Sequence, residues 1–477
     1  MHLIVFGILV LGLMRTSWAA PERPLLSVEF GVANAPGQVE DSLSDIWLDW
    51  GYQGKIAGFT KTPRAQDRLE FWSKPEIELD LARETGFQIF RFGVDWGRIM
   101  PAPHVFDESV IRTYHSLIKK IRQRSLKPYL TLMHHSLPDW LQDQGGWMQD
   151  SARGHFLEFA RRMFKEFHSD VSVWMTFNEA NVFVALAHTA GIWPPGEHRP
   201  LTSFFHFGPL RGEAVIALDR MADAHNAFYS WAQQHYPGSK IGVAHNLAWY
   251  TGKGILDRFA ARWVSNVMNW RFLERIRNHM DFVGFNYYGA EWLKSGRIDL
   301  DPEEEYSEAG RAVFPEGLLL LMREAYQRFH LPMIITENGM ADRTDILRPA
   351  YLIEHLKAVE QAKKEGIPVE AFILWTLTDN LEWADGYCPK FGLFEVDRST
   401  MKRTARPSQA LIKTIIQSRE IPNDLRDQAW RTVETHRGKP RPFCRNTDGV
   451  QGLATPTQRP VSEKDWRLPR RKAFFSD

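Results

Sequence analysis

The stretch VSVWMTFNEAN, residues 171–181, is apolar for most of its length and ends by delivering Asn178 and Glu179. Such a run suits a strand buried on both faces, because a half-exposed strand would alternate apolar with polar positions. The glutamate at its end is then either a solvated loop residue or an acid held at the rim of a buried sheet. Seven further runs share this character: LLSVEFGVA (25–33), FQIFRFGV (87–94), PYLTLMH (128–134), KIGVAHN (240–246), DFVGFNYY (281–288), PMIITEN (332–338) and AFILWTL (371–377). Longer stretches with helical periodicity separate them, among them PEIELDLARETG, IRTYHSLIKKIRQRS and PAYLIEHLKAVEQAKKEG. In the last, Leu352, His355, Leu356, Val359 and Ala362 fall on one face and Gly366 supplies the stop.

Eight strand–helix units predict an α/β fold, a (β/α)8 TIM barrel with an irregular C-terminal extension. An open doubly wound sheet would more often carry a glycine-rich phosphate turn after its first strand, and VANAPGQVED is not one. After about residue 420 the composition turns polar. The expected division is therefore a leader over 1–19, the barrel over 22–420, and over 421–477 an extension packed on the barrel and partly mobile.

With 59 basic and 58 acidic residues the net charge is +1, which gives no electrostatic footprint for nucleic acid. Eighteen Trp among 13% aromatic residues serve either a large core or flat stacking surfaces for sugar faces. The two cysteines, Cys388 and Cys444, allow neither a disulfide framework nor a cysteine zinc site, and they can pair only in an oxidising compartment. Leu3 to Met14 is unbroken and apolar, about 18 Å long as a helix, too short for a hydrocarbon core of about 30 Å. Ser17-Trp18-Ala19 follows as a small-x-small site. Residues 1–19 are thus expected to be a signal peptide leading to secretion or the periplasm, with an uncleaved membrane anchor as the alternative.

In a (β/α)8 barrel the C-terminal strand ends build the active site. Those ends carry Gln38, Arg91, His134, His135, Asn178, Glu179, Asn286, Tyr288, Glu337, Asn338 and Trp375. A lone glutamate after a strand is more often solvated, and a lone His134 or Trp375 more often core. Amide, imidazole, phenol and carboxylate groups at most of eight ends point instead to one polar mouth. Two carboxylates without His-x-x-x-His spacing suit acid–base hydrolysis with no metal and no cofactor. Glycosidic cleavage needs such a pair, one acid for the leaving oxygen and one carboxylate for the anomeric carbon.

The motifs FRFGVDWGRIMP, TLMHHSLPDW, TFNEAN, DFVGFNYY, IITENG and WTLTDNLEWADGYCPKFGLFEVD occur in order between about Phe30 and Ser408. Together they resemble glycoside hydrolase family 1, the retaining β-glycosidases. The resemblance implies that Glu179 is the acid/base and Glu337 the nucleophile. It implies that Arg91 and Tyr288 contact Glu337, with Arg91 depressing its pKa, and that Glu179 rests protonated. It implies a sugar-binding set of Gln38, His134, Asn178, Asn286, Trp375, Glu382 and Trp383, with Trp375 as the stacking floor.

PGQVEDSLSDIWLDW, RLEFWSKPEIELDLARETG, HHSLPDW and the tail RPFCRNTDGVQGLATPTQRPVSEKDWR look like the sensitive-to-freezing branch, whose plant members are galactolipid galactosyltransferases. The covalent intermediate is then released either by water, on a β-glucosidase or β-galactosidase route, or by a second sugar hydroxyl. The substrate is accordingly a β-glycoside or a galactolipid. An inactive carbohydrate-binding member would lack Glu179 or Glu337, and both are present. Arg470, Arg471 and Lys472 with Phe474 and Phe475 offer a membrane-surface contact, against a plain solvated terminus. Ala180 stands where the family nearly always carries proline, which predicts a looser acid/base loop. Gluco or galacto preference and oligomeric state are not legible.

Overall fold

All eight apolar runs form strands: β1 (Glu29–Ala33), β2 (Ile89–Gly93), β3 (Lys127–Met133), β4 (Val173–Asn178), β5 (Ile241–Asn246), β6 (Val283–Asn286), β7 (Met333–Asn338) and β8 (Val369–Leu374). The computed structural model describes residues 26–59, 68–204, 206–207, 210–295, 297–446 and 451–468. The strands pair in parallel in chain order and close between β1 and β8, with Phe30 in register with Phe372 and Val32 with Leu374. Gly31 permits the close approach of β1 to β2, since a Cβ there would come 2.8 Å from Ile89 Cβ. The leader 1–19 and the cluster Arg470–Phe475 lie outside the described residues.

The connections put helices outside the barrel and build up its C-terminal rim. Helix α1 (Ala180–His188) follows β4 directly. After β5 comes the strand Trp249–Gly252 and helix α2 (Ile255–Ser265). That strand pairs in parallel with Ala290–Lys294, which pairs antiparallel with Arg297–Asp299, so a small three-stranded sheet stands beside the mouth. Helix α3 (Pro315–Phe329) then leads to β7.

The tail is more ordered than its composition suggests. It holds helix α4 (Asn423–His436) and an antiparallel hairpin of Pro440–Arg445 with Gly452–Pro460. Several of its charged residues point inward to partners instead of outward to water. Arg441 Nη2 donates to Glu305 Oε1 at 2.6 Å with both side chains buried. Cys388 and Cys444 are bonded to each other, fixing the hairpin to the loop after β8. The helix Arg348–Lys364 shows the other side of this arrangement. Its sequence suggests one apolar face, yet nearly every side chain is buried because α4 covers the opposite face. The junction is Glu354, fully buried, which accepts from Arg426 Nε at 2.7 Å, Arg426 Nη2 at 2.8 Å, Trp430 Nε1 at 2.8 Å and the Leu468 amide at 3.0 Å.

Removing Arg426 would leave a buried carboxylate without its cation, a loss worth about 3–5 kcal/mol. Arg426→Ala should lower the urea-unfolding free energy by that amount. Adding Glu354→Leu in the same chain should recover most of it, because no buried charge then remains.

Candidate active site

Arg91 sits in the middle of β2, fully buried, with its guanidinium turned into the barrel. It donates from Nη1 to Glu337 Oε1 at 2.5 Å and to the Thr336 carbonyl at 3.1 Å, both on β7. Nη2 donates to Asn178 Oδ1 on β4 at 2.6 Å, and Nε to Thr131 Oγ1 on β3 at 3.2 Å. One cation thus ties four strands to the two ends that carry glutamates. Tyr288, just past β6, donates its hydroxyl to the other oxygen of Glu337 at 2.6 Å.

Glu179 is held differently. Its Oε1 accepts from Asn286 Nδ2 at 2.9 Å and Asn246 Nδ2 at 3.1 Å, while Oε2 lies 3.7 Å from His135 Nε2. Its backbone is left-handed, with φ 46° and ψ 53°, and its amide donates to the Ala244 carbonyl at 2.7 Å. The looser loop expected at Ala180 is therefore not what the chain forms. Ala180 is the buried first residue of α1, and hydrogen bonds from both neighbouring elements fix Glu179 without a proline.

The hydrogen-bond pattern decides where a proton fits. A guanidinium only donates, so the atom of Asn178 facing Arg91 must be its oxygen. Asn178 Nδ2 then faces His135 Nε2 at 3.1 Å, and that nitrogen must accept. His135 is consequently neutral with its proton on Nδ1, so the nitrogen 3.7 Å from Glu179 Oε2 carries no proton to give it. Glu337 has both oxygens occupied by donors, which suits the carboxylate.

Burial complicates this order. It pushes Glu337 up to about 7, with the nearby charge of Glu179 adding to it, against the lowering by Arg91 and the Tyr288 hydroxyl. The depressed value expected for Glu337 is therefore not found, because desolvation outweighs the arginine. Burial also raises Glu179, but a protonated His135 and the Asn286 and Asn246 amides bring it below its ordinary value. That lowering needs an imidazolium, and burial holds His135 itself below the ordinary imidazole range. With the Asn178 amide aimed at Nε2, the neutral imidazole wins, and burial is then the larger influence on Glu179.

The remaining expected residues gather around this centre. His134, Asn178, Trp375, Glu382 and Trp383 line one pocket with Glu179, Tyr288 and Glu337. The His134 ring lies 5.8 Å from Trp375 and 5.7 Å from Trp383, centroid to centroid. Gln38, Arg91 and Asn286 are wholly buried behind the lining, and Gln38 Nε2 donates to Glu382 Oε2 at 3.4 Å. Burial and the charge of Asp385 push Glu382 up to about 8.

The sequence assigns no role to several residues that the fold brings into the pocket. His135 follows His134 directly, and strand alternation would send the two to opposite faces. Its φ of 61° turns it back toward the mouth. Glu179 and Trp383, both at φ 46°, share this backbone form, which non-glycine residues adopt at a cost and which concentrates at active sites. Asn246 ends β5 and carries the same strand-end signal as the others. Arg311, Asp385 and Arg445 form the outer rim, with Arg445 Nη2 donating to Asp385 Oδ2 at 2.5 Å and Arg311 paired with Glu291. Nothing local in the sequence marks them, since Arg445 arrives from the tail hairpin.

The sequence profile of glycosyl hydrolase family 1 matches residues 31–257 and 264–421. The chain is 35% identical to the chloroplastic galactolipid galactosyltransferase SFR2 of Arabidopsis thaliana, over 92% of this chain and 81% of that one. It is 28% identical to β-glucosidase A of Acetivibrio thermocellus, over 82% of this chain and 97% of that one. The crystal structure of a hyperthermophilic β-glucosidase from Pyrococcus furiosus superposes with a TM-score of 0.74 at 26% identity, covering 84% of this chain and 98% of that one.

Because Arg91 lowers Glu337 more than Tyr288 does, the two should be separable by titration. Infrared difference titration of the carboxyl stretch should move Glu337 upward from about 7 in Tyr288→Phe, and further upward in Arg91→Met. In both variants the protonated form then persists to higher pH.

Proposed function

The chain belongs to glycosyl hydrolase family 1, and from that premise we propose that Glu337 is the nucleophile and Glu179 the acid/base of its double displacement. The enzyme is a retaining β-glycosidase of the β-glucosidase/β-galactosidase type. The observation carrying the assignment is the bridge from Arg91 through Asn178 to His135, which leaves both oxygens of Glu337 with donors and Glu179 Oε2 beside a nitrogen that has no proton to give.

In the first step the Glu337 carboxylate attacks the anomeric carbon, and the bond to the leaving oxygen breaks. That oxygen takes the proton from Glu179 Oε2. The covalent glycosyl-enzyme no longer carries the negative charge of Glu337, so Glu179 loses a neighbour that had favoured its protonated form. It then accepts a proton from water, whose oxygen attacks the anomeric carbon and expels Glu337. Asn178, Arg91 and Asn286 keep the two carboxyls in register throughout. His134 and Glu382 face the sugar hydroxyls, with Gln38 behind holding Glu382, and the Trp375 and Trp383 rings offer flat faces to its apolar side. His135 positions Glu179 and does not itself touch the reacting atoms.

Transfer to a second sugar is the other reading, with a galactolipid as donor and acceptor. It is favoured by the similarity to a galactolipid galactosyltransferase and by the outer rim of Arg311, Asp385 and Arg445. These charged groups line the same pocket as the two glutamates and offer donors and acceptors to the hydroxyls of a second sugar. We further propose that residues 1–19 act as a secretory leader. The Cys388–Cys444 bond fits the oxidising compartment that such a route would reach.

Glu337→Ala should reduce hydrolysis of aryl β-glucosides and β-galactosides by more than about 10³-fold. Glu179→Ala should cost about 10²–10⁴-fold on alkyl glycosides, whose leaving oxygen needs a proton, and far less on nitrophenyl glycosides. Equal losses on the two leaving groups would remove Glu179 from the acid role. Incubation with monogalactosyl lipid followed by lipid chromatography should yield oligogalactolipid if the second reading holds, and free galactose alone if it does not.

A further inference from the structure

Helix α2 is built inside out. Asp257 and Ala261 face the small sheet beside the mouth, where Asp257 Oδ1 accepts from the Ser295 amide at 2.8 Å and Ala261 is buried. The opposite side carries Ile255, Leu256, Phe259 and Trp263, exposed by 72%, 83%, 69% and 40%. At 3.6 residues per turn, Ile255, Phe259 and Trp263 stack one turn apart with Leu256 beside them. Other large exposed apolar side chains among the described residues, such as Ile77 and Val105, are scattered singly. A contiguous outward ridge of this kind marks an interaction surface, while isolated apolar side chains are ordinary on a protein surface.

Charge and position identify what covers the ridge. Arg258 and Arg262 are exposed on the flank of α2, one turn apart. They line a groove against α3 together with Arg323 and Arg328. The two arginines of α3 are already paired, Arg323 with Glu365 and Arg328 with Glu324 and Glu274, whereas among the described residues Arg258 and Arg262 form no ion pair, which leaves positive charge on α2 beside the ridge. Bulky apolar groups bordered by arginines match the layering of an anionic bilayer surface, acyl chains below phosphates. The ridge also stands on the mouth side of the barrel. Helix α2 packs on the strands Trp249–Gly252 and Ala290–Lys294, and the third strand of that sheet supplies Ile298 to the active-site pocket. Among the described residues no helix is long and apolar enough to cross a membrane, so α2 would lie along the surface.

We propose that the outward face of α2 is a lipid-docking surface, which seats the mouth of the barrel against an anionic membrane. A glycolipid headgroup could then enter the pocket while its chains stay in the bilayer. The inference stands on the geometry of α2 and is independent of whether the intermediate is released by water or by a second sugar.

The test uses the full chain with Leu256→Cys labelled by an environment-sensitive fluorophore. Cys388 and Cys444 are bonded to each other, so only the new thiol reacts. Vesicles of phosphatidylglycerol with phosphatidylcholine should raise the emission several-fold and shift it to the blue. The same fluorophore on Ile77→Cys, in the helix Pro75–Thr85, should stay silent. Ile255→Ser with Phe259→Ser should abolish the response, while aryl β-glycoside turnover stays at the parental value and shows the fold intact. Arg258→Gln with Arg262→Gln should remove the preference for anionic over pure phosphatidylcholine vesicles. Emission unchanged by either vesicle would overturn the proposal. So would a response to protein concentration alone with doubled mass by light scattering, which would make a second copy of the chain the occupant.

Discussion

A single buried guanidinium organises the site. Arg91 reaches from β2 to groups on β3, β4 and β7, and in doing so it fixes more than the nucleophile it touches. Because arginine cannot accept a hydrogen bond, its contact with Asn178 sets which end of that amide turns to His135 and to Asn286. Those two residues in turn set the surroundings of Glu179. The difference between two chemically identical carboxyls follows from one cation placed next to only one of them.

The same network shows why a dry pocket is a demanding place for acids. Glu337 and Glu382 are driven up to about 7 and about 8 by burial, and Glu179 adds a third carboxyl to the same cavity. Together with Asp385, which also lines the pocket, these carboxyls cannot all ionise independently, and their protons belong to the group as a whole. What separates their roles is the direction of their hydrogen bonds, which desolvation does not alter. Backbone strain at His135, Glu179 and Trp383 is part of the same design, since left-handed φ values aim these side chains where strand alternation would not.

Most of the barrel is legible in the sequence because parallel strands buried on both faces leave near-continuous apolar runs, and all eight such runs form strands. The strand-end residues are legible for a related reason. A polar group that directly follows a buried strand sits at the rim of the barrel, where water or a ligand must meet it. The resemblance of motifs then assigns those residues their roles. What escapes is whatever depends on partners distant in the chain. The polar tail reads as irregular because composition does not reveal that Arg426 meets Glu354 or that Arg441 meets Glu305. The direction of the Glu337 shift escapes because an arginine is visible in sequence and depth of burial is not. Arg445 enters the pocket rim from a hairpin held by Cys388–Cys444, a pairing the sequence leaves open. Helix α2 is illegible for the opposite reason, since its periodicity is plain but which side faces the protein is not.

The assignment of Glu337 as the carboxylate that bonds to sugar can be tested without relying on rates. Incubation with a 2-deoxy-2-fluoro β-glycoside bearing a good leaving group, followed by proteolysis and tandem mass spectrometry, reads the attachment site directly. The account predicts one fluoroglycosyl group, on the peptide that contains Glu337 and on that side chain. Attachment to Glu179 or Glu382, or turnover with no covalent adduct, would contradict it.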